Sequence, residues 1–284
     1  MPEALSRLAE ALSETTPTRC LLLSLAVGPL SAQQPPADSI PPHQSFTLES
    51  RTLSETRRIN VFTPPGYATA TDQRYPVLYM PDGGIGEDFP HVVNTLDSLR
   101  AAGLVRAFIV VGVENTERRR DMTGPTTVPS DSGIARKVGG SAAFRSFFRD
   151  ELMPEIRQRY RTTDESAIVG ESLAGLFVME TFFLEPALFN RYIAMSPSVW
   201  WNDRDIVKRA EERIPGLTGL NRALFFTVGN ECEIMSGTDE LARQLHDHAS
   251  PDLLWFYEPM PEQEHHTIYR AAAPIAFKRI LGRK

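Results

Sequence analysis

Short apolar runs, separated by polar loops, dominate the chain from residue 76 onward. Residues 76–80 and 107–113 are continuous apolar runs of strand length, which is typical of strands covered on both faces, and 224–229 is a further mainly apolar strand. Segments 144–160 and 268–281 instead carry apolar residues at helical spacing. Strands that alternate with helices predict an α/β fold with a mostly parallel central sheet and helices on both faces.

Further segments extend this pattern along the chain. Residues 46–50 and 58–63 alternate apolar and polar positions, which predicts an antiparallel hairpin at the sheet edge. The remaining predicted strands are 166–169, 192–196 and 253–257, and a further helix is predicted over 238–248. The loops that leave the carboxyl ends of the parallel strands are the expected place for a functional site.

The N-terminal region differs in composition from the rest. Residues 20–30 form an apolar run of signal-peptide length, and we predict a signal peptide within residues 1–32. Residues 33–44 are proline-rich and predict an extended linker, followed by one domain over 45–284. A signal peptide would make the protein periplasmic or secreted. The alternative is a buried N-terminal helix, which would leave the protein cytoplasmic.

Charge and composition limit the function classes. The net charge of −6 argues against nucleic acid or an anionic membrane surface as the main partner. Cysteine is too scarce for a cysteine metal cluster, and His246 and His248 point apart on the predicted helix. These two observations argue against a cysteine or histidine metal site, whereas the oligomeric state stays open.

Residues 170–175 (GESLAG) predict a nucleophile elbow centred on Ser172. In the G-x-S-x-G turn the serine lies at a tight strand-to-helix corner, and small residues flank it because the two backbones pass close together. Gly170 meets this demand, and Ala174 replaces the second glycine with only one added methyl group. A serine hydroxyl is a weak nucleophile, so the motif also requires a carboxylate and a histidine downstream.

A carboxylate and then a histidine follow Ser172 along the chain, which is the order expected after a nucleophile elbow. Glu231 and Glu233 follow the strand that ends near Val228, and either could be the acid. His265 and His266 follow the last strand, and we assign the general base to His265 with His266 as the alternative. Loop glutamates are also common as plain solvated residues.

An oxyanion hole needs two backbone N–H groups beside the nucleophile. The first is predicted at Leu173, which directly follows Ser172. The second is predicted in the glycine turn at Gly83 and Gly84, after the strand 76–80. A phosphate loop is excluded there because the turn lacks both the G-x-G-x-x-G spacing and a GK[ST] ending.

An ordered set of short motifs runs along the chain. The motifs are Arg58-Ile59 with Pro64-Pro65-Gly66-Tyr67, Tyr75-Pro76-Val77-Leu78-Tyr79 with Asp82-Gly83, Glu151-Leu152-Met153-Pro154-Glu155-Ile156, Gly170-Glu171-Ser172, and Ser196-Pro197-Ser198 with Trp200-Trp201. Together they resemble the Putative esterase family of α/β-hydrolases, which includes siderophore esterases of the enterochelin type, feruloyl esterases and S-formylglutathione hydrolases. The resemblance implies a serine esterase without metal or organic cofactor, with Ser172 as nucleophile and His265 as base.

The expected substrate is a small-molecule ester of siderophore or aromatic type. Trp200 and Trp201 could line an aromatic pocket, and Arg119 could contact an anionic substrate. The alternatives are ordinary core packing for the tryptophans and surface ion pairs for the arginine. Two other functions stay open, namely acyl transfer to a sugar or lipid hydroxyl and a catalytically silent binding module.

Overall fold

The computed structural model describes residues 38–282. The predicted signal peptide and residues 33–37 of the predicted linker lie outside the described residues. The described part of that linker contacts the domain, because Arg270 pairs with Asp38 and the Asn94 side chain donates to the Ser39 carbonyl. His43 also packs edge-on against Phe89, with ring centroids 5.7 Å apart.

Eight strands form one sheet in the order β1-β2-β4-β3-β5-β6-β7-β8. The strands are β1 (Gln44–Ser50), β2 (Glu55–Phe62), β3 (Tyr75–Met80), β4 (Ile109–Val113), β5 (Thr162–Glu171), β6 (Arg191–Met195), β7 (Ala223–Thr227) and β8 (Leu254–Tyr257). β1 pairs with β2, and β2 with β4, in antiparallel register, whereas all other neighbours are parallel. The structure thus confirms the predicted mostly parallel α/β sheet.

The central strands are apolar throughout because both faces of the sheet are covered. In β3, Val77 and Tyr79 pack into one apolar core, whereas Leu78 and Met80 pack into the other. Side chains alternate between the faces of a strand, so a strand that lies between two cores needs apolar residues at every position. The edge strand β1, by contrast, has mostly exposed and half-buried positions.

Helices pack on both faces of this sheet. They are α1 (Phe89–Ala101), α2 (Arg118–Asp121), α3 (Pro129–Ser132), α4 (Ser141–Phe147), α5 (Met153–Arg159), α6 (Leu173–Leu184), α7 (Trp201–Lys208), α8 (Ala210–Arg213), α9 (Cys232–His248) and α10 (His265–Leu281). α1 and α10 supply one core, and α4 to α9 supply most of the other. Between residues 38 and 282, no helix is both long and apolar enough to cross a bilayer.

The predicted helix over 144–160 is interrupted in the structure. A π-helical turn, Phe148–Leu152, separates α4 from α5. Pro154 follows this turn, has no N–H to donate and carries a ring that would clash with the carbonyl four residues earlier in a regular helix. A wider turn before the proline relieves that clash and lets the helix continue.

Candidate active site

The carboxyl ends of neighbouring parallel strands bring the predicted residues to one edge of the sheet. β5 ends at Glu171, directly before Ser172, while the loops after β7 and β8 carry Glu231 and His265. β6 lies between β5 and β7 in the sheet. A short span of the sheet edge therefore presents all three side chains on the same side.

Ser172 has the strained backbone of a nucleophile elbow. Its φ of 60° and ψ of −119° place it in a region that residues with a Cβ rarely adopt. The turn is held because the Ser172 N–H donates to the Met195 carbonyl at 3.0 Å. A Cβ on Gly170 would lie 2.6 Å from the carbonyl carbon of Ala174, so glycine is needed there and alanine is tolerated opposite it.

The three predicted triad residues form a continuous chain of contacts. Nε2 of His265 lies 3.0 Å from the Oγ of Ser172. On the other side of the ring, Nδ1 lies 2.6 Å from Oε2 of Glu231, a distance that suits an ion pair, although the contact is outside hydrogen-bond geometry in this conformation. The hydroxyl of Ser196 donates to the other oxygen of Glu231. This arrangement can pass a proton from the serine to the imidazole while the carboxylate orients the ring.

Close contact between two loops sets the distance from Glu231 to His265. The Asn230 N–H donates to the Gln263 carbonyl at 2.7 Å. Gly229 passes so near that carbonyl that a Cβ on it would lie only 2.5 Å away. His265 is the first residue of α10, three residues earlier than predicted, and a capping box between Glu264 and Thr267 fixes the start of that helix.

The two alternative residues lie apart from this chain of contacts. His266 is exposed on α10, and Glu233 is exposed in the first turn of α9. The contacts of Ser172 lead through His265 to Glu231. The geometry therefore favours the first choice made from the sequence for both the base and the acid.

The predicted oxyanion donors differ in their availability. The Leu173 N–H, at the first turn of α6, donates to no acceptor among the described residues. Gly83 donates its N–H to the Val113 carbonyl at 2.9 Å, and Gly84 donates to Oε2 of Glu87 at 2.7 Å. Of these three residues, only Leu173 therefore presents a free N–H in this conformation, and the role of the glycine turn stays a prediction.

Gly83 of that turn is needed for close packing. A Cβ on Gly83 would lie 2.2 Å from Cα of Gly112 in β4. The turn must therefore pass within backbone contact of the neighbouring strand, which only a residue without a side chain permits.

Glu171 is a site residue that the sequence analysis missed. Its Oε1 lies 3.3 Å from Nε2 of His265, the same nitrogen that faces Ser172. Burial, together with the nearby carboxylates of Asp88, Asp82 and Glu231, raises the pKa of Glu171 to about 8. A carboxylate in the middle of the elbow motif was the signal available in the sequence.

A buried polar cluster continues behind Glu171. Arg118 binds both oxygens of Asp82, at 2.7 and 2.8 Å, and is the cation that opposes the raised pKa of Glu171. Burial and the charge of Asp82 also raise the pKa of Asp88, to about 7. The catalytic edge of the sheet thus combines several carboxylates with Arg118.

The predicted substrate-contacting residues fall into two groups. Trp201 is 3% exposed and donates its indole N–H to the Gly124 carbonyl, so it is a packing residue. Trp200 is half-buried, and Arg119 is exposed. Within the described chain, the neighbours Arg118 and Arg120 form ion pairs and Arg119 forms none. Trp200 and Arg119 therefore stay candidates for substrate contact.

Comparison with known proteins identifies the family. The Putative esterase family matches residues 50–273. The chain is 31% identical over 189 residues to the ferri-bacillibactin esterase BesA of Bacillus subtilis, a match that covers 62% of this chain and 65% of BesA. It is 34% identical over 95 residues to the siderophore enterobactin esterase of Emericella nidulans, covering 32% of this chain and 31% of that enzyme.

Among solved structures, an IroE-like serine hydrolase from Shewanella oneidensis superposes with a TM-score of 0.76 at 28% identity, covering 84% of this chain and 79% of that one. The matches to the two curated relatives cover less than two thirds of the length of either enzyme. The family match, in contrast, extends over well more than half of this chain. The chain belongs to the Putative esterase family of α/β-hydrolases.

Proposed function

We propose that the protein is a serine carboxylic-ester hydrolase that works through Ser172, His265 and Glu231 and an acyl-enzyme intermediate. One observation carries the proposal: the imidazole of His265 lies 3.0 Å from the Ser172 hydroxyl and 2.6 Å from the Glu231 carboxylate. Those separations suit proton transfer to one ring nitrogen and orientation of the ring through the other.

In the first half-reaction Oγ of Ser172 attacks the ester carbonyl carbon while its proton passes to Nε2 of His265. The ester C–O bond then breaks, and the same proton goes to the leaving alcohol. In the second half-reaction a water molecule gives a proton to Nε2 and attacks the acyl carbon. The bond from that carbon to Oγ then breaks, Nε2 returns the proton to Oγ, and the carboxylic acid leaves. Glu231 holds the ring tautomer and stabilises the imidazolium in both halves.

The negative oxygen of each tetrahedral intermediate needs a donor. The free Leu173 N–H lies at the first turn of α6, where unpaired N–H groups and the helix dipole favour an anion. A rearrangement that released Gly84 from Glu87 would supply a second N–H from the glycine turn. We assign the second oxyanion donor to Gly84 rather than Gly83, because the Gly83 N–H already donates to the Val113 carbonyl of β4.

We further propose that the substrates are siderophore-type esters. The named activities of the two curated relatives support this class. The exposed Arg119, which has no ion pair within the described residues, suits an anionic ferric complex. The half-buried Trp200 offers an aromatic face for catecholate or feruloyl rings.

Hydrolysis of short p-nitrophenyl esters tests the chemistry. Ser172→Ala and His265→Ala should each lower kcat by about 10⁴-fold or more, because triad members act as a unit. His266→Ala is the matched control and should retain wild-type activity, since His266 is exposed beside the site. A serine-directed phosphonate should label the wild type at Ser172 only.

An inert wild type that the phosphonate does not label would overturn the proposal in favour of a silent binding module. Substrate class is tested with a cyclic trilactone siderophore and methyl ferulate. Faster turnover of the trilactone, and of its anionic ferric form over the metal-free form, is the expected result. Preferential turnover of long-chain esters would contradict the substrate assignment.

A further inference from the structure

Both nitrogens of the His265 ring face a carboxylate. Glu231 lies 2.6 Å from Nδ1, and Glu171 lies 3.3 Å from Nε2. Nε2 therefore has two oxygen neighbours, the Ser172 hydroxyl at 3.0 Å and the Glu171 carboxylate. The proposed mechanism uses the first neighbour and leaves the second without a role.

The position of Glu171 is fixed by the sheet. It is the last residue of β5, in register with Met195 of β6, and it directly precedes the strained Ser172. Its side chain is 15% exposed, and within the described residues its carboxylate has one partner at hydrogen-bonding distance, His265. The carboxylate is thus held beside the imidazole by backbone that cannot move without disrupting the nucleophile elbow.

The electrostatic surroundings make His265 the natural counter-charge for Glu171. The titratable or charged groups that face Glu171 are Asp82, Asp88, Arg118, Glu231, His265 and Tyr269. Burial raises the pKa of Glu171 to about 8, and the neighbouring carboxylates add to that effect against Arg118. Arg118 is already bound to Asp82 through both oxygens. Ionised Glu171 is therefore best stabilised when His265 is positively charged.

We propose that Glu171 is a second carboxylate of the catalytic histidine, a positioning residue that accepts the Nε2–H of the imidazolium during turnover. The inference rests on the proposed esterase function. When Ser172 gives its proton to Nε2, the new N–H can point to Glu171 until it is delivered to the leaving alcohol. No bond is made or broken at Glu171, which lowers the energy of the charged ring only.

The same geometry predicts a lower rate of ester hydrolysis at lower pH. A protonated Glu171 donates its O–H to the Nε2 lone pair, which is the lone pair that must accept the Ser172 proton. The active form therefore has Glu171 ionised, and burial raises the pKa of Glu171 to about 8. Ionisation of Glu171 consequently contributes to the ascending limb of the pH–rate profile, the part over which the rate rises with pH.

Glu171→Gln tests this role with a side chain of the same size. We expect kcat to fall by about 10- to 100-fold with little change in KM, because a hydrogen bond to a charged group is lost in the transition state. The ascending limb should also move to lower pH, by about one unit, since the variant has no carboxyl proton to lose before the Nε2 lone pair is free. Glu171→Asp keeps the charge and should keep the limb close to that of the wild type.

Glu262→Gln, an exposed carboxylate on the loop before His265, is the control and should leave kcat and the limb unchanged. If the ascending limb of the pH–rate profile lies at the same pH in Glu171→Gln as in the wild type, the inference is overturned, whatever the change in kcat. The outcome is separate from that of the proposed function, which is judged by Ser172 labelling in the wild type.

Discussion

At the scale of single residues, the structure distinguishes two glutamates that lie two positions apart. Glu231 contacts His265 and Ser196, whereas Glu233 is exposed in the first turn of α9. Both follow the same strand and have the same chemistry. The separation between the two roles therefore comes entirely from the path of the loop.

Glu231→Gln should lower kcat by about 10³- to 10⁴-fold, because an amide no longer holds the ring tautomer or stabilises the imidazolium. Glu233→Gln changes the same group close by and should keep kcat within twofold of the wild type. Steady-state kinetics with a short p-nitrophenyl ester measures both. Equal losses in the two variants, or a loss in Glu233→Gln alone, would show that the acid is assigned wrongly.

The sequence indicates which residues belong to the site, but it does not indicate which other residues they contact in the folded protein. The elbow around Ser172 can be recognised because local sterics require small residues on either side of the serine. The glycine turn is harder to interpret, because the availability of its N–H groups depends on Glu87 and on the Val113 carbonyl, neither of which a local motif reveals. Glu171 was missed for the same reason, since its role depends on a contact with a residue far along the chain.

At the scale of secondary-structure elements, the approach of the β7 loop to the β8 loop brings Glu231 to His265. Gly229→Ala would place a Cβ 2.5 Å from the Gln263 carbonyl. The loops must then separate, and Glu231 moves with the first while His265 follows the second. We expect a loss of about 1–3 kcal/mol in the free energy of unfolding, together with a fall in kcat larger than the loss of folded protein explains.

Gly216→Ala is a matched control, because a Cβ at that glycine meets no atom within 4 Å. It should be neutral or slightly stabilising, as expected for alanine at a compatible position. Urea denaturation and kinetics on the same preparations make the comparison. Wild-type kcat in Gly229→Ala would mean that the loop contact does not set the distance between Glu231 and His265.

Helix α1 (Phe89–Ala101) is absent from the predicted elements, although its sequence has a helical pattern of apolar residues. Phe89, Val92, Val93 and Leu96 are buried at helical spacing, and a proline occupies the first turn. This apolar pattern is short and follows a glycine-rich turn, so it is a weak signal for a helix. The π-helical turn before Pro154 was less accessible, because the sequence does not show whether a proline ends a helix or only distorts it.

At the scale of the whole molecule, the sheet type was predictable and the strand order was not. Continuous apolar strands alternating with helices indicate a parallel sheet covered on both faces. The order places β4 between β2 and β3, and these contacts join residues distant in sequence. Apolar patterning fixes which face each residue covers, but nothing in it specifies the neighbouring strand.

Two groups of carboxyls give the whole molecule opposite dependences on pH. Hydrogen bonds from Arg106 lower the pKa of Glu165 to about 2, so Glu165 adds stability above its unfolded pKa and loses it as pH falls. Asp88 and Glu171 have raised pKa values, of about 7 and about 8. Between the unfolded value and the raised value the folded state binds more protons, so these two groups lower the stability as pH rises.

Asp88→Asn isolates the second effect. The folded wild type keeps a proton on Asp88 up to about pH 7 whereas the unfolded chain loses it near 3.8, so the unfolded state gains in relative stability over that interval. The variant lacks this titration and keeps a side chain suited to the start of α1. Its free energy of unfolding relative to the wild type should rise by about 2 kcal/mol from pH 5 to pH 8.

Urea denaturation at several pH values measures the difference between the two proteins. Asp164→Asn, an exposed aspartate, removes the same charge and should leave the difference flat across the range. A flat difference in Asp88→Asn as well would mean that Asp88 is ionised in the folded protein. Asp82 and Asp88 would then carry more negative charge near Glu171 than proposed. His265 would have to stabilise ionised Glu171 by a correspondingly larger amount.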